Sequence, residues 1–426
     1  MRYRVLKHYS RFLAILLLIT SPLCANETLD WEQAVKETLQ HNPELRGAQE
    51  RIQATEAVIR QAESSFFPQI NSSVGYSYGR VSNPNPIATT NAGDNYTASL
   101  SLAYPIFQGF RNQADVTQAK LRKHLASLEE AELRSRLNFE LKSAFSSLIY
   151  AQEAFNLQNE IMKRRTENFN LVVLRYEGGL ENKGSVMLSE AYLKEAEFAQ
   201  LQASQRIQVA QAQLNRILGR NDRSNFIGVG QVPTHPPPKQ PDYQTLITRS
   251  LEFQQVETQT LLAKSSITTA KSGFFPTMSL SGDMSRRGDD WFPDTKVWSV
   301  GVAVNYPLFT GGRDKASLEQ ARASHNEALT NRENLDRDLL ARLQQAYTNL
   351  VAAEEQLNVT SRFREAAQVR ADVARTKYNN GLISFEEWDR IETDLILREQ
   401  NYLINLRDRV TAEAAWEQVQ GIGVLQ

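Results

Sequence analysis

Hydrophobic and polar positions along the chain follow two patterns, and each pattern occurs twice. In the first, apolar residues recur at steps of four and three. One row runs from Leu137 through Leu141, Ala144, Leu148, Ala151, Phe155, Gln158, Met162, Arg165, Phe169 and Val172 to Tyr176. The other runs from Leu339 through Leu343, Ala346, Leu350, Ala353, Leu357, Thr360, Arg364, Ala367, Ala371 and Ala374 to Tyr378. A 3.5-residue period is a coiled-coil seam, and its alanines let helices approach closely. Neither Gly nor Pro interrupts Phe110 to Glu177 or Arg313 to Asn380. Each stretch, helical throughout, would be about 100 Å long. The architecture must therefore be elongated.

The second pattern is strict alternation. Ile70, Ser72, Val74, Tyr76 and Tyr78 share one face of a predicted strand, and Tyr96, Ala98, Leu100, Leu102 and Tyr104 share one face of the return strand. The second copy repeats this with Met278, Leu280, Gly282 and Met284, then Trp298, Val300, Val302, Val304 and Tyr306. The intervening positions are small or polar. Such alternation over about ten residues is the signature of a transmembrane β-barrel strand. A soluble sheet with one face on a core gives the same signal in any single strand. Four strands at repeated positions, beside helices of this length, favour the membrane reading. The residues assigned to lipid are Val74, Tyr76, Leu100, Leu102, Leu280, Val300, Val302 and Val304. Four strands cannot close a barrel, whose smallest forms have about eight. Several copies must share one.

The chain is thus written twice. Tyr104-Pro-Ile-Phe-Gln-Gly109 recurs as Tyr306-Pro-Leu-Phe-Thr-Gly311, and Arg175-Tyr-Glu-Gly-Gly-Leu180 as Lys377-Tyr-Asn-Asn-Gly-Leu382. Phe66-Phe-Pro68 recurs as Phe274-Phe-Pro276. The spacing between the copies changes only between the Phe-Phe-Pro and Tyr-Pro marks, where the first copy is longer. This places a surface loop at Arg80 to Asp94. Each copy reads as helix, two strands, long helix, turn and helix. The flanking helices are expected at Trp31 to Glu63 and Ser185 to Leu218, and at Tyr243 to Lys271 and Ser384 to Val419. The organisation is then a segment 1–25, a first repeat 26–219, a Pro-rich connector 220–242 and a second repeat 243–426. The fold class is α+β and mainly α.

Arg2, Arg4, Lys7 and Arg11, followed by the apolar Phe12 to Thr20, read as a secretory signal too short to span a bilayer. Cleavage after Ala25 would remove the single Cys; lipidation of Cys24 is the alternative. No later apolar run is long enough for a membrane helix. The net charge of -1 gives no field for nucleic acid. The five His residues are scattered without metal-ligand spacing. No phosphate loop or nucleophile elbow is present, so neither an enzyme nor a cofactor is expected.

The doubled organisation, Phe67-Pro68 and Phe275-Pro276, the Tyr-Pro-[Ile/Leu]-Phe-x-Gly entries and the [Arg/Lys]-Tyr-x-x-Gly-Leu turns together resemble the TolC-like outer-membrane efflux proteins. The resemblance covers essentially the whole mature chain. It implies a homotrimer in which three sets of four strands form one barrel in outer-membrane lipid, continued by a helical tunnel through the periplasm. It implies a passive conduit serving a tripartite efflux or type I secretion system. The turns Gly178, Gly179 and Leu180, and Gly381 and Leu382, would lie at the tip where a periplasmic adaptor and an inner-membrane pump dock. Acidic residues just past the second turn narrow the entrance in similar proteins. The matching positions are Glu387 and Arg390, with Ser185 in the first copy. Only Glu387 keeps the charge, and an ordinary Glu386–Arg390 helix pair competes with a gate there. A periplasmic coiled-coil adaptor is the other reading. Such a protein has one helical hairpin, whereas this chain has two.

Overall fold

The computed structural model describes residues 27–80, 92–221 and 225–425. The predicted signal segment, Cys24 included, and residues 81–91 of the predicted loop lie outside them. The chain runs β1 (Glu27–Leu29), α1 (Trp31–His41), α2 (Pro43–Glu63), β2 (Gln69–Arg80), β3 (Ala92–Gln108), α3 (Arg111–Glu177), α4 (Lys183–Leu218) and β4 (Phe226–Gly228). It continues with α5 (Tyr243–Arg249), α6 (Leu251–Lys271), β5 (Thr277–Gly288), β6 (Thr295–Asn305), α7 (Arg313–Asn379) and α8 (Phe385–Gln420).

Helices α3 and α7 span 67 residues each. Every buried residue of α7, from Leu339 through Leu350, Thr360 and Ala367 to Tyr378, lies on the predicted seam. In α3 the row holds from Leu137 to Ala151 and again at Arg165 and Val172, but between these Ile161 and Asn168 are buried in place of Met162 and Phe169. An ideal helix drifts against a 3.5-residue repeat, and α3 packs on four helices, α2, α4, α6 and α8, which draws the buried row sideways. The largest core joins Leu137, Leu141, Phe145 and Leu148 of α3 to Trp31, Leu214, Ile217 and Phe226. A second joins Leu339, Leu343 and Leu350 of α7 to Ile247 and Trp416.

Three expectations need correction. The helix expected at Trp31 to Glu63 is broken at Asn42. Pro43 forces the residue before it into extended backbone, and Asn42 then caps α2 by accepting from the N–H groups of Glu44 and Leu45 at 2.8 and 3.1 Å. The helix expected at Tyr243 to Lys271 is likewise broken at Ser250, which caps α6. The loop expected at Arg80 to Asp94 is shorter, because β2 reaches Arg80 and β3 begins at Ala92. The Pro-rich connector also carries a strand, β4, which pairs with β1 in parallel.

The four long strands form one antiparallel sheet in the order β2-β3-β5-β6. Strand β3 passes into α3 through Gly109 and Phe110, both with positive φ. A Cβ on Gly109 would meet the Ser272 carbonyl oxygen at 2.7 Å, so only glycine fits there. Phe110 is held in its left-handed conformation between the rings of Phe107 and Phe275, at 5.2 and 5.5 Å. The sheet thus stands at one end of the long helices and the two Gly-Leu turns at the other.

Candidate functional site

Both long helices end alike. The N–H of Gly179 donates to the Tyr176 carbonyl at 3.0 Å, and that of Leu180 to Arg175 at 2.8 Å. Gly381 and Leu382 donate to Tyr378 and Lys377, each at 2.9 Å. This paired motif requires a left-handed residue, supplied by Gly179 and Gly381 at φ 73 and 72°. Gly178 has φ -77° and carries no such demand. The leucine of such a turn often packs back on the helix one turn earlier. Here the residues beneath are Arg175 and Lys377, and Leu180 and Leu382 are each 70% exposed.

Between the turns lies a compact cluster. Tyr378, 1% exposed, stacks on Trp388 with ring centroids 4.3 Å apart. Its hydroxyl donates to a Glu181 carboxylate oxygen at 3.0 Å. The Arg175 guanidinium sits 4.7 Å from the ring centre and donates to the Tyr378 carbonyl at 3.0 Å. Burial and the Glu181 carboxylate push the Tyr378 hydroxyl well above the usual phenol range. Val172, Ala374 and Phe385 close the apolar side. Two side chains from the first turn therefore grip one tyrosine from the second. Further from the tip, Arg165 donates to Asp389 at 2.7 Å and Thr393 at 3.1 Å, and Arg164 donates to Glu399 at 2.6 Å. These bonds tie α3 to α8.

The predicted entrance residues separate. Glu387 and Arg390 are exposed on the first turns of α8. Ser185 is buried and donates to Glu181 at 3.0 Å, so it joins the grip on Tyr378. Among the described residues no ion pair joins Glu386 to Arg390. The backbone and the Ser384 hydroxyl hold the Glu386 carboxyl below its ordinary range. Sequence reasoning missed Glu181. The available signal was the difference between copies, since Ile383 stands at the matching place after the second turn.

On the sheet, the register places the eight residues assigned to lipid on a single face. Rows across the strands read Leu100-Met284-Trp298, Leu102-Gly282-Val300 and Tyr104-Leu280-Val302, with Val74 and Tyr76 on the same side of β2. The opposite face carries Asn71-Ser101-Asp283-Ser299 and Ser73-Ser99-Ser285. Leu102 and Leu280 are half-buried by their neighbours, whereas Val74 is 84% exposed and Val300, Val302 and Val304 are open. Strands β2 and β6 each have one strand partner.

One grouping was invisible in the sequence. His235, Glu413 and Glu417 converge, with potential ligand atoms within 4.8 Å of one another. Both carboxylates already have cationic partners. Arg409 pairs with Glu413, and Lys142 pairs with Glu417 at 2.7 Å. Arg409 also donates to the His235 carbonyl at 2.6 Å, so the cluster fastens the connector to α8.

Paired helical hairpins with an exposed turn at one end, and an uncovered apolar sheet at the other, define a protein that runs from a membrane deep into an aqueous compartment. The chain belongs to the outer membrane efflux protein family, which residues 34–220 and 243–421 match. It is 23% identical over 385 residues to the probable outer membrane lipoprotein SilC of Salmonella typhimurium, covering 87% of this chain and 80% of the relative. It is 21% identical over 384 residues to the cation efflux system protein CusC of Escherichia coli (strain K12), covering 87% and 81%. The fold matches a membrane protein from Pseudomonas aeruginosa with a TM-score of 0.82 at 20% identity, over 92% and 90% of the two chains. It matches the outer membrane protein VceC from Vibrio cholerae with a TM-score of 0.80 at 21% identity, over 92% and 96%. The protein is an outer-membrane efflux channel subunit whose helical part extends into the periplasm.

Proposed function

We propose that three copies of the chain assemble into one passive export conduit. Neighbouring copies join β6 of one sheet to β2 of the next, closing a shared twelve-stranded barrel. The observation that carries this reading is the four-stranded sheet itself. It has two available edges and one apolar face that is largely open among the described residues, a combination that a soluble monomer would not leave exposed. The antiparallel order supports it, since β2 and β6 run in opposite directions and can pair. The polar face, with Asn71, Ser101, Asp283 and Ser299, then lines the lumen. The two repeats, 26–219 and 243–426, each supply two strands and one hairpin, and the connector 220–242 links them. Residues 1–25 act as the export signal.

In this reading the hairpin turns form the periplasmic tip, where a periplasmic adaptor and an inner-membrane pump engage. Among the described residues no helix is long and apolar enough to cross a membrane, which fits a conduit driven by such partners. The grip of Arg175 and Glu181 on Tyr378 holds the tip closed, and Glu387 faces the route once it parts. The mass of the protein extracted in mild detergent tests the assembly. A trimer is expected, and a stable monomer that retains the sheet would overturn it.

A further inference from the structure

Two cations sit where the apolar face of the sheet ends. Arg286 of β5 and Lys296 of β6 are directly paired across the strands. The register puts them on the same face as Val74 and Val300, one row beyond Met284 and Trp298. Both are exposed, and among the described residues neither has an ion pair. Like charges directly opposite each other weaken a sheet, so this arrangement calls for an anion from outside. The nearby carboxylates do not supply it. Asp94 accepts from the Tyr76 hydroxyl at 2.8 Å, and Asp289, Asp290 and Asp294 lie around the turn between β5 and β6 without pairing either cation.

We propose that Arg286 and Lys296 bind the phosphate of a phosphorylated glycolipid in the outer leaflet. The inference rests on the barrel reading above and adds a specific lipid contact to it. Position supports it. Arg286 is nine residues from the start of β5, which at about 3.3 Å per residue and a tilt near 40° puts it about 23 Å above the helical end. The apolar band of such barrels is about 25 Å tall, so the cations meet the outer headgroup layer. Trp298, 76% exposed, marks that boundary as an interfacial aromatic. One row further out, Tyr96 packs at a tilt on Tyr76 and edge-on against Trp291, with centroids 5.0 and 5.6 Å apart, and the three offer aromatic faces to a sugar. The feature belongs to the second repeat alone. Tyr78 and Asp94, paired in the same way, stand at the matching places in the first. The site would occur once per subunit.

The test uses the full-length protein purified from outer membranes in mild detergent. Lipopolysaccharide binding is measured by native mass spectrometry in EDTA, with phosphatidylethanolamine and inorganic phosphate as separate arms. The doubly substituted Arg286→Gln, Lys296→Gln protein is expected to bind lipopolysaccharide roughly tenfold or more weakly. The charge-preserving Arg286→Lys, Lys296→Arg protein should recover most of the binding. Equal binding by the original and the Gln protein would overturn the proposal, as would full displacement by millimolar inorganic phosphate, which would mark a plain anion site. Quenching of Trp298 by brominated acyl chains, in a Trp291→Phe background, tests the underlying face assignment. Quenching with unchanged lipopolysaccharide binding sinks only the phosphate site. Absence of quenching sinks the barrel reading as well.

Discussion

Tyr176 and Tyr378 occupy the same place in the two copies but differ in environment. Tyr378 is buried, and Tyr176 is exposed. The difference follows from its neighbours. Helix α8 offers Trp388 where α4 has only Val186, and the first turn offers Glu181 where the second has Ile383. Tyr378 could be read from the sequence as a seam residue, because it falls on the four-and-three row. Its partner could not, since an acid beside a turn is ordinary and only folding brings it across to the other hairpin. Tyr378→Phe keeps the stacking on Trp388 and removes the bond to Glu181. A hydrogen bond to a charged group contributes roughly 1.5–3 kcal/mol. The variant should therefore open more often, seen as larger or longer conductance events in planar bilayers, with the fold intact by circular dichroism. The same bond gives a pH response. The folded hydroxyl titrates above its unfolded value near 10, so its contribution is whole below about pH 10 and is lost as pH rises toward the folded value. Closed-state stability should fall in that alkaline range in the original protein, and the Phe variant should lack this response. Unaltered conductance in the Phe variant would show that Tyr378 does not hold the tip.

Helices and strands of this chain differ in how far their pattern reaches. The long helices were legible almost to the residue, because a row of apolar residues without Gly or Pro leaves the chain no alternative. Strand faces were legible because a slip of one residue would expose Asn71, Ser73 and Asp283 in place of Val74 and Leu280. The breaks at Asn42 and Ser250 were harder to see, since a Pro after an Asn, or a lone Ser, ends one helix while starting another without a gap. Nor could the pattern show that β4 pairs with β1, a three-residue ladder between distant segments. The face assignment makes a prediction at this scale. Val302→Arg places a charge on the open side of β6, and near the bilayer midplane this costs about 2–4 kcal/mol. Heat-modifiable trimer in outer-membrane fractions should drop sharply for Val302→Arg. Removing six residues within 81–91, where the copies differ in length, should leave that band unchanged. Normal assembly of Val302→Arg would mean that the apolar face meets protein rather than lipid.

At the scale of the whole molecule, sheet and turns stand about 100 Å apart, so damage at one end need not reach the other. That separation lets the tip be tested alone. Leu180 and Leu382 are the most exposed apolar side chains of the two turns, and the residues they bond through the backbone are the cationic Arg175 and Lys377. An apolar side chain left open at a turn costs little stability and gives a partner something to bury. In a trimer the pair occurs three times around the entrance, alternating between hairpins. Each exposed leucine, if fully covered by a partner, would contribute on the order of 2 kcal/mol, enough in sum to fix a docking register. Changing both to Asp leaves the backbone bonds of Gly179 and Gly381 in place. The doubly substituted protein should insert and trimerise as before, yet lose crosslinking to the adaptor and export in a deletion strain. Failure to fold would mean that the leucines close the turns after all. Export at the original rate would show that the adaptor engages some other surface of the helices.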